Sequence, residues 1–144
     1  DGVIVVRGWG DVKSWGGICF GTVILGDDRI AAELNNRLYM HEFGHTLQSR
    51  RSGPIYLFKY GIPSLLSARG VGVHRHHPVE RDANQRARTY FSQQPGFTTW
   101  NDDFNPLPKD GRCLPIHWWE YIPPMFPLRQ LYLAIMDRNG RSNG

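Results

Sequence analysis

A small α+β domain is what this 144-residue sequence predicts, and three observations predict it. Two early stretches, VIVVRGW (3–9) and GGICFGTVILG (16–26), concentrate Val and Ile between glycines, as short strands do. From about Arg29 the pattern turns helical, with Ala31, Leu34, Leu38, His41, His45 and Gln48 roughly one face apart. A second helical segment, PVERDANQRARTYF (78–91), opens on a proline and ends before Gln94-Pro95-Gly96. The expected architecture is a short, mostly antiparallel N-terminal sheet packed on the first helix and on a second helix bearing Glu80. An irregular Pro- and Trp-rich part follows.

Each element has its own punctuation. Gly16-Gly17 and Gly26-Asp27-Asp28 bound the second β stretch. The first helix has a clear stop. Arg50-Arg51 favour the negative end of the dipole, Gly53 supplies a cap that tolerates positive φ, and Pro54 cannot continue the ladder. Residues 54–68 read as an apolar connection, a short helix broken at Gly61-Ile62-Pro63, with Ile55, Leu57, Phe58, Leu65 and Leu66 expected in the core. ARGVGVHRHH (68–77) reads as a loop. Trp100, Trp118, Trp119, Tyr121 and YIPPMFP mark the irregular part, and LRQLYLAIM (128–136) is a last apolar element before a polar tail.

Bulk properties narrow the function classes. The length suits one domain, residues 1–144, able to bury a core without metal or disulfide help. The net charge of +4 is too mild to imply a nucleic-acid partner, and the arginines are scattered rather than interleaved with exposed aromatics. Cys19 and Cys113 lack metal-type spacing; one disulfide and two buried thiols are both open. The longest apolar run, 53–68, carries Lys59 and two prolines and is too short to span a bilayer. The chain begins DGVIVVRGWG without an initiator Met or signal peptide, which is expected of a processed piece of a longer protein.

The chemistry concentrates in LYMHEFGHTLQSRRSGP (38–54). Residues four apart stack on one helix face, so His41 and His45 can aim imidazoles at one ion. Zinc takes neutral imidazole nitrogens, and a catalytic zinc site uses three protein donors. Glu42 then stands beside the metal's solvent position as the general base. Gly44 in mid-helix costs about 1 kcal/mol relative to Ala, so a close neighbour is expected there, either a strand, a substrate backbone or another helix.

The third donor must come from downstream. Glu80, Asn84, Ala87 and Phe91 share one face of the second helix, so Glu80 can reach the metal while Asn84 hydrogen-bonds a ligand histidine from behind. Small Ala83 and Ala87 let that helix lie close against the first. Arg81, Arg86 and Arg88 are expected mostly in solvent. The competitors for third ligand are the loop histidines His74, His76 and His77, otherwise a polar rim. Candidates for touching the substrate or its oxyanion are His76, Tyr90 and Tyr60.

HEFGHTLQS followed by ERDANQRA (80–87) resembles the gluzincin-type zincin metallopeptidases, in which H-E-x-x-H is completed by a Glu in an E-x-x-A-[DN]-x-x-A helix. The match covers His41, Glu42, His45, Glu80, Ala83 and Ala87, with Asn84 where that pattern often has Asp. Residues 35–91 are also similar to metallopeptidase-like segments at the C-termini of bacterial Rhs/YD-repeat, polymorphic-toxin-like proteins. The resemblance implies a zincin-like fold, one Zn2+ ion, a protein or peptide substrate, and export as the effector part of a larger bacterial protein. A cognate immunity protein would then be a partner. It also implies that an edge strand at 18–26, around Cys19, Phe20, Gly21 and Thr22, binds substrate backbone by β-addition. The competing reading is a zincin-fold binding module that recognises a protein without cutting it.

Overall fold

The computed structural model describes residues 2–9, 16–69, 74–114, and 132, 133 and 135. The Trp118–Trp119 region, YIPPMFP and most of the 128–136 element lie outside the described residues. A three-stranded sheet and three α-helices form a small α+β domain.

Strands β1 (Ile4–Arg7), β2 (Gly17–Phe20) and β3 (Val23–Gly26) lie in the order β1-β3-β2. The stretch 16–26 is therefore a hairpin and not one strand. Phe20 pairs with Val23 across a two-residue turn at Gly21-Thr22, and Gly21 has φ 71°. Glycine first in a two-residue loop matches the twist of the flanking strands. β2 and β3 are antiparallel as expected, but β1 joins β3 in parallel. The sheet is mixed because the chain crosses over between β1 and β2 and the hairpin then returns β3 to the middle.

Helix α1 (Arg37–Ser52) begins later than the apolar period suggests. Asn35 adopts φ 71°, and the Asn36 side chain accepts the Tyr39 N–H at 2.9 Å, so the two asparagines hold the chain out of the helix until Arg37. Its end is where the sequence places it: Gly53 has φ 59°, and its N–H donates to the Ser49 carbonyl.

The segment after Gly53 stays helical. A 3₁₀ turn (Gly53–Ile55), a π turn (Leu57–Gly61) and α2 (Ile62–Arg69) run on without a break. Pro63 lacks an N–H for the ordinary ladder, and the wider turn just before it, closed by Ile62 N–H to the Leu57 carbonyl, absorbs the mismatch. The inward face is Tyr56, Lys59, Tyr60 and Pro63, while Leu57, Phe58 and Leu66 are exposed. The core assignment for those three leucine and phenylalanine positions is thereby reversed, because the two tyrosines, four apart, take the buried stripe. A 3₁₀ turn at His74–His76 leads into α3 (Pro78–Phe91), capped by His77.

Helix α1 lies between the sheet and α3. Cys19, Ile24, Ile30 and Leu38 pack on its sheet side, and Met40, Phe43, Ala87, Phe91 and Trp100 fill its α3 side. A third cluster, Tyr56, Tyr60, Val79 and Leu133, closes the end beneath the π turn. The two main helices touch at Gly44, where an added Cβ would stand 2.2 Å from the Ala83 carbonyl oxygen. Helix–helix packing is thus what requires the mid-helix glycine. Cys19 and Cys113 are free thiols, and burial pushes the Cys19 thiol up to about 11. Among the described residues no helix is long and apolar enough to cross a membrane.

Candidate metal centre

The close α1–α3 contact decides what meets at the centre of the domain. Because Gly44 and Ala83 allow the helices to touch, the side chains one turn either side are forced together. His41 Nε2 lies 3.2 Å and His45 Nε2 3.1 Å from the same oxygen, Glu80 Oε2. Four donors at zinc distances of about 2.0–2.1 Å sit about 3.3 Å apart at the corners of a tetrahedron. The observed spacings suit such a set, and His41, His45 and Glu80 form a group able to hold a metal ion.

Each imidazole is fixed from behind. His41 Nδ1 lies 2.7 Å from Asn84 Oδ1, and Asn84 Nδ2 donates to the Pro106 carbonyl, which orients the amide with its oxygen toward the ring. His45 Nδ1 lies 2.8 Å from Gln48 Oε1, and Gln48 Nε2 donates to the Val79 carbonyl and to Asp82 Oδ2. Both amide oxygens are acceptors, so both Nδ1 atoms carry protons and both Nε2 atoms direct their second valence at Glu80. Two imidazole nitrogens within 3.2 Å of one carboxylate oxygen repel it unless a cation, a proton or a metal, lies among them. Glu80 is fully buried, and its other oxygen, Oε1, has no hydrogen-bond partner among the described residues. A buried, unpartnered carboxylate oxygen is costly, and a bound cation offsets that cost.

The electrostatics agree. Burial opposes charge on His45, but Glu80, Glu42 and Gln48 outweigh it and raise the imidazole to about 9. His41 is raised in the same way, with burial overcome chiefly by Glu80 and Glu42. Burial pushes Glu80 up, but the two histidines hold it well below the usual carboxylate range. Glu42 is raised, first by burial and then by Glu80, against the pull of His41 and His45.

A cavity of about 380 Å3 opens on this group. Gly16 through Phe20 form one wall, and Tyr56, Leu57, Ser64, Leu65 and Ala68 another; His41, Glu42, His45, His74 and Glu80 line it too. Gly17 is pressed against Glu42: a Cβ there would stand 2.8 Å from the carboxylate oxygen. β2 therefore runs along the cavity with no side chain at the point nearest the acid, and it is an outer strand of the described sheet.

Of the expected residues, His41, Glu42, His45, Glu80 and Asn84 come together, and Cys19 and Phe20 line the cavity. Gly21 and Thr22 form the hairpin turn and are not in the lining. Tyr60 is buried in the core, and Tyr90 packs on Phe43 and Phe91; neither lines the cavity. His76 is exposed and stands 3.0 Å from the Arg81 guanidinium. His74 faces the centre in its place, with Nε2 3.8 Å from Glu80 Oε2. Arg86 does not face solvent but pairs with buried Asp82 at 2.8 Å. Gln48 and Asp82 are the supporting residues that the sequence reading missed. A polar side chain one turn past His45 was the available signal, legible only once its buried partners are known. No family model, curated protein or solved structure matches the chain.

Proposed function

We propose that the protein is a zinc-dependent metallopeptidase of gluzincin type, hydrolysing a peptide bond in the cavity beside β2. The observation that carries the reading is the convergence of His41 Nε2, His45 Nε2 and Glu80 Oε2, with Glu42 lining the same cavity. Two imidazoles and a carboxylate are a donor set that zinc favours. When bound, zinc supplies Lewis acidity, lowering the pKa of a water and polarising a carbonyl.

The chain's own residues do the rest. Asn84 and Gln48 hold the imidazole rings in one tautomer and one orientation. Glu42 is the general base: burial raises its proton affinity toward the working range, and it returns the proton to the leaving amine. The bare backbone at Gly17 gives that carboxylate room, and the β2 edge offers main-chain hydrogen bonds to an extended peptide. Ile18, Phe20, Tyr56, Leu57 and Leu65 make the walls largely apolar, which suits an apolar side chain in the substrate. By the resemblance of residues 35–91, the domain acts as the exported effector of a larger bacterial protein and meets an immunity protein.

Purified protein should carry one zinc per chain, with none in His45→Ala. Glu42→Gln should keep the zinc while chelator-sensitive cleavage of a peptide library falls by roughly a hundredfold or more. Zinc binding with no cleavage of any peptide or protein would transfer the reading to a binding module. Absence of zinc under saturating conditions would end the peptidase reading and leave a metal-free binding module.

A further inference from the structure

Two helical glycines lack a side chain for different reasons. At Gly44 the Ala83 backbone forbids one, with its carbonyl oxygen 2.2 Å from an added Cβ. Gly61, where the π turn passes into α2, presses on no other element. Among the described residues, the only atoms within 4 Å of a Cβ there belong to the Leu57 side chain one turn back, the nearest at 3.0 Å. Its backbone is helical and not left-handed. Glycine weakens a helix relative to alanine, and here neither backbone geometry nor packing against a neighbouring element requires it. Gly61 does line the cavity.

The rest of that wall continues the same face. Leu57, Gly61, Ser64, Leu65 and Ala68 recur at i, i+4, i+7, i+8 and i+11, and all of them line the cavity. Two leucines thus border three small residues. Ile18, Cys19 and Phe20 line it from β2. Among the described residues the lining holds no Lys, Arg or Asp, and its two carboxylates, Glu42 and Glu80, are those of the metal centre. Glu80 is fully buried, and its unpartnered Oε1 marks the space as one that a ligand enters. At about 380 Å3 the cavity is near the lower end for ligand pockets, room for one bulky side chain and the backbone on either side of it.

We propose that the slot between β2 and the helical run 57–68 selects the substrate, taking a leucine- or phenylalanine-sized apolar side chain beside the bond that is cut. This rests on the peptidase reading and deepens it. Gly61 is the specificity-determining residue: the space its missing side chain leaves is what the substrate side chain fills. Contact with Leu57, Leu65 and Phe20 supplies the affinity. A charged side chain in the slot would lose its water and find no partner.

The test uses the full chain with zinc, carrying Glu42→Gln so that bound peptides stay whole. Calorimetry compares short peptides with Ala, Leu, Phe, Lys or Glu placed at each position in turn. At one position Leu and Phe should bind at least roughly tenfold tighter than Ala, and Lys and Glu should gain nothing over it. Gly61→Leu should then weaken the Phe peptide roughly tenfold or more and leave the Ala peptide and the zinc content unchanged. Gly61→Ala should shift the preference the same way, to a smaller extent, and melt no lower than its parent, because alanine favours a helix. An unchanged Phe preference in Gly61→Leu, a destabilised Gly61→Ala that keeps the preference, or no peptide binding at all would overturn the pocket. If the chain without Glu42→Gln cuts peptides regardless of bulky apolar residues, the pocket falls and the peptidase reading stands. If such peptides bind with this preference and are never cut, the pocket stands and the peptidase reading falls.

Discussion

Helix α1 and the helical run after Gly53 distribute their side chains in opposite ways. α1 buries Glu42, His45, Thr46 and Gln48, whereas the following run leaves Leu57, Phe58 and Leu66 exposed. In α1 the buried polar groups are tolerable because most have partners fixed by a third group: Gln48 alone joins His45, the Val79 carbonyl and Asp82. In the second region Leu57 lines the cavity, whereas Phe58 and Leu66 are exposed outside its lining. In α1 the violation of the inside-outside rule marks the group able to hold a metal ion, and in the second region it reaches the cavity only at Leu57.

The contrast depends on α1 being pinned to α3, and breaking that contact should have the largest effect. Gly44→Ala would place a methyl 2.2 Å from the Ala83 oxygen. Separation of the helices should cost about 3 kcal/mol or more, read as a lowered urea midpoint, and should abolish zinc uptake together with it. A Gly44→Ala protein of unaltered stability would mean that the helices are not packed as described.

Removing the polar support without touching the packing should do less. Gln48→Ala strands the His45 Nδ1 proton and removes one of the donors to buried Asp82, which keeps Arg86 and the Leu114 N–H, for about 1–3 kcal/mol of stability and roughly a tenfold to hundredfold loss in zinc affinity. A loss of stability with affinity intact would separate Gln48 from the metal.

The acid-base balance of the centre gives a subtler contrast between the metal-free and zinc-loaded forms. His45 is raised to about 9 and His41 is raised too, so without metal their contribution is fully present below the ordinary histidine pKa of about 6.5. The His45 part is lost as pH climbs through about 9, and the His41 part as pH climbs past its own raised pKa. Glu42, also raised, loses stability in the same direction above its ordinary value, while Glu80, lowered, is lost only in acid. Metal-free protein should therefore melt several degrees lower at pH 9 than at pH 6, and the rise in Tm on adding zinc should grow over the same interval, because the metal displaces protons. A zinc increment that shrinks with rising pH would contradict the assignment.

The smallest effect belongs to the exposed run. Leu66→Ser should change stability by no more than about 0.5 kcal/mol, and Leu57→Ser should match it in stability while weakening the capture of an apolar peptide. Equal binding by both variants would remove Leu57 from the substrate wall.

Much of the centre is legible in the sequence. The i, i+4 histidines, the glycine that demanded a close neighbour, and the Glu80–Asn84 face of α3 are all local periodicities, and each element reports its own. Legibility failed where a residue's role depends on what another element brings to it. His74 and His76 are two residues apart in one turn, and nothing in HRHH says which faces Glu80; Ser67 on α2 and Arg81 on α3 sort them. Tyr60 and Tyr90 are equally plausible beside any active site until packing claims them for the core.

The sequence by itself determined the C-terminal stop of α1, the hairpin glycine, the class of fold and the candidate donor types, because these follow from backbone preferences and spacing within single segments. Only the tertiary structure decided the parallel placement of β1, the burial of Gln48 and Asp82, and the convergence of His41 and His45 on one oxygen of Glu80. Those depend on distances between elements far apart in the chain, which close packing at Gly44 and Ala83 sets and no local pattern encodes.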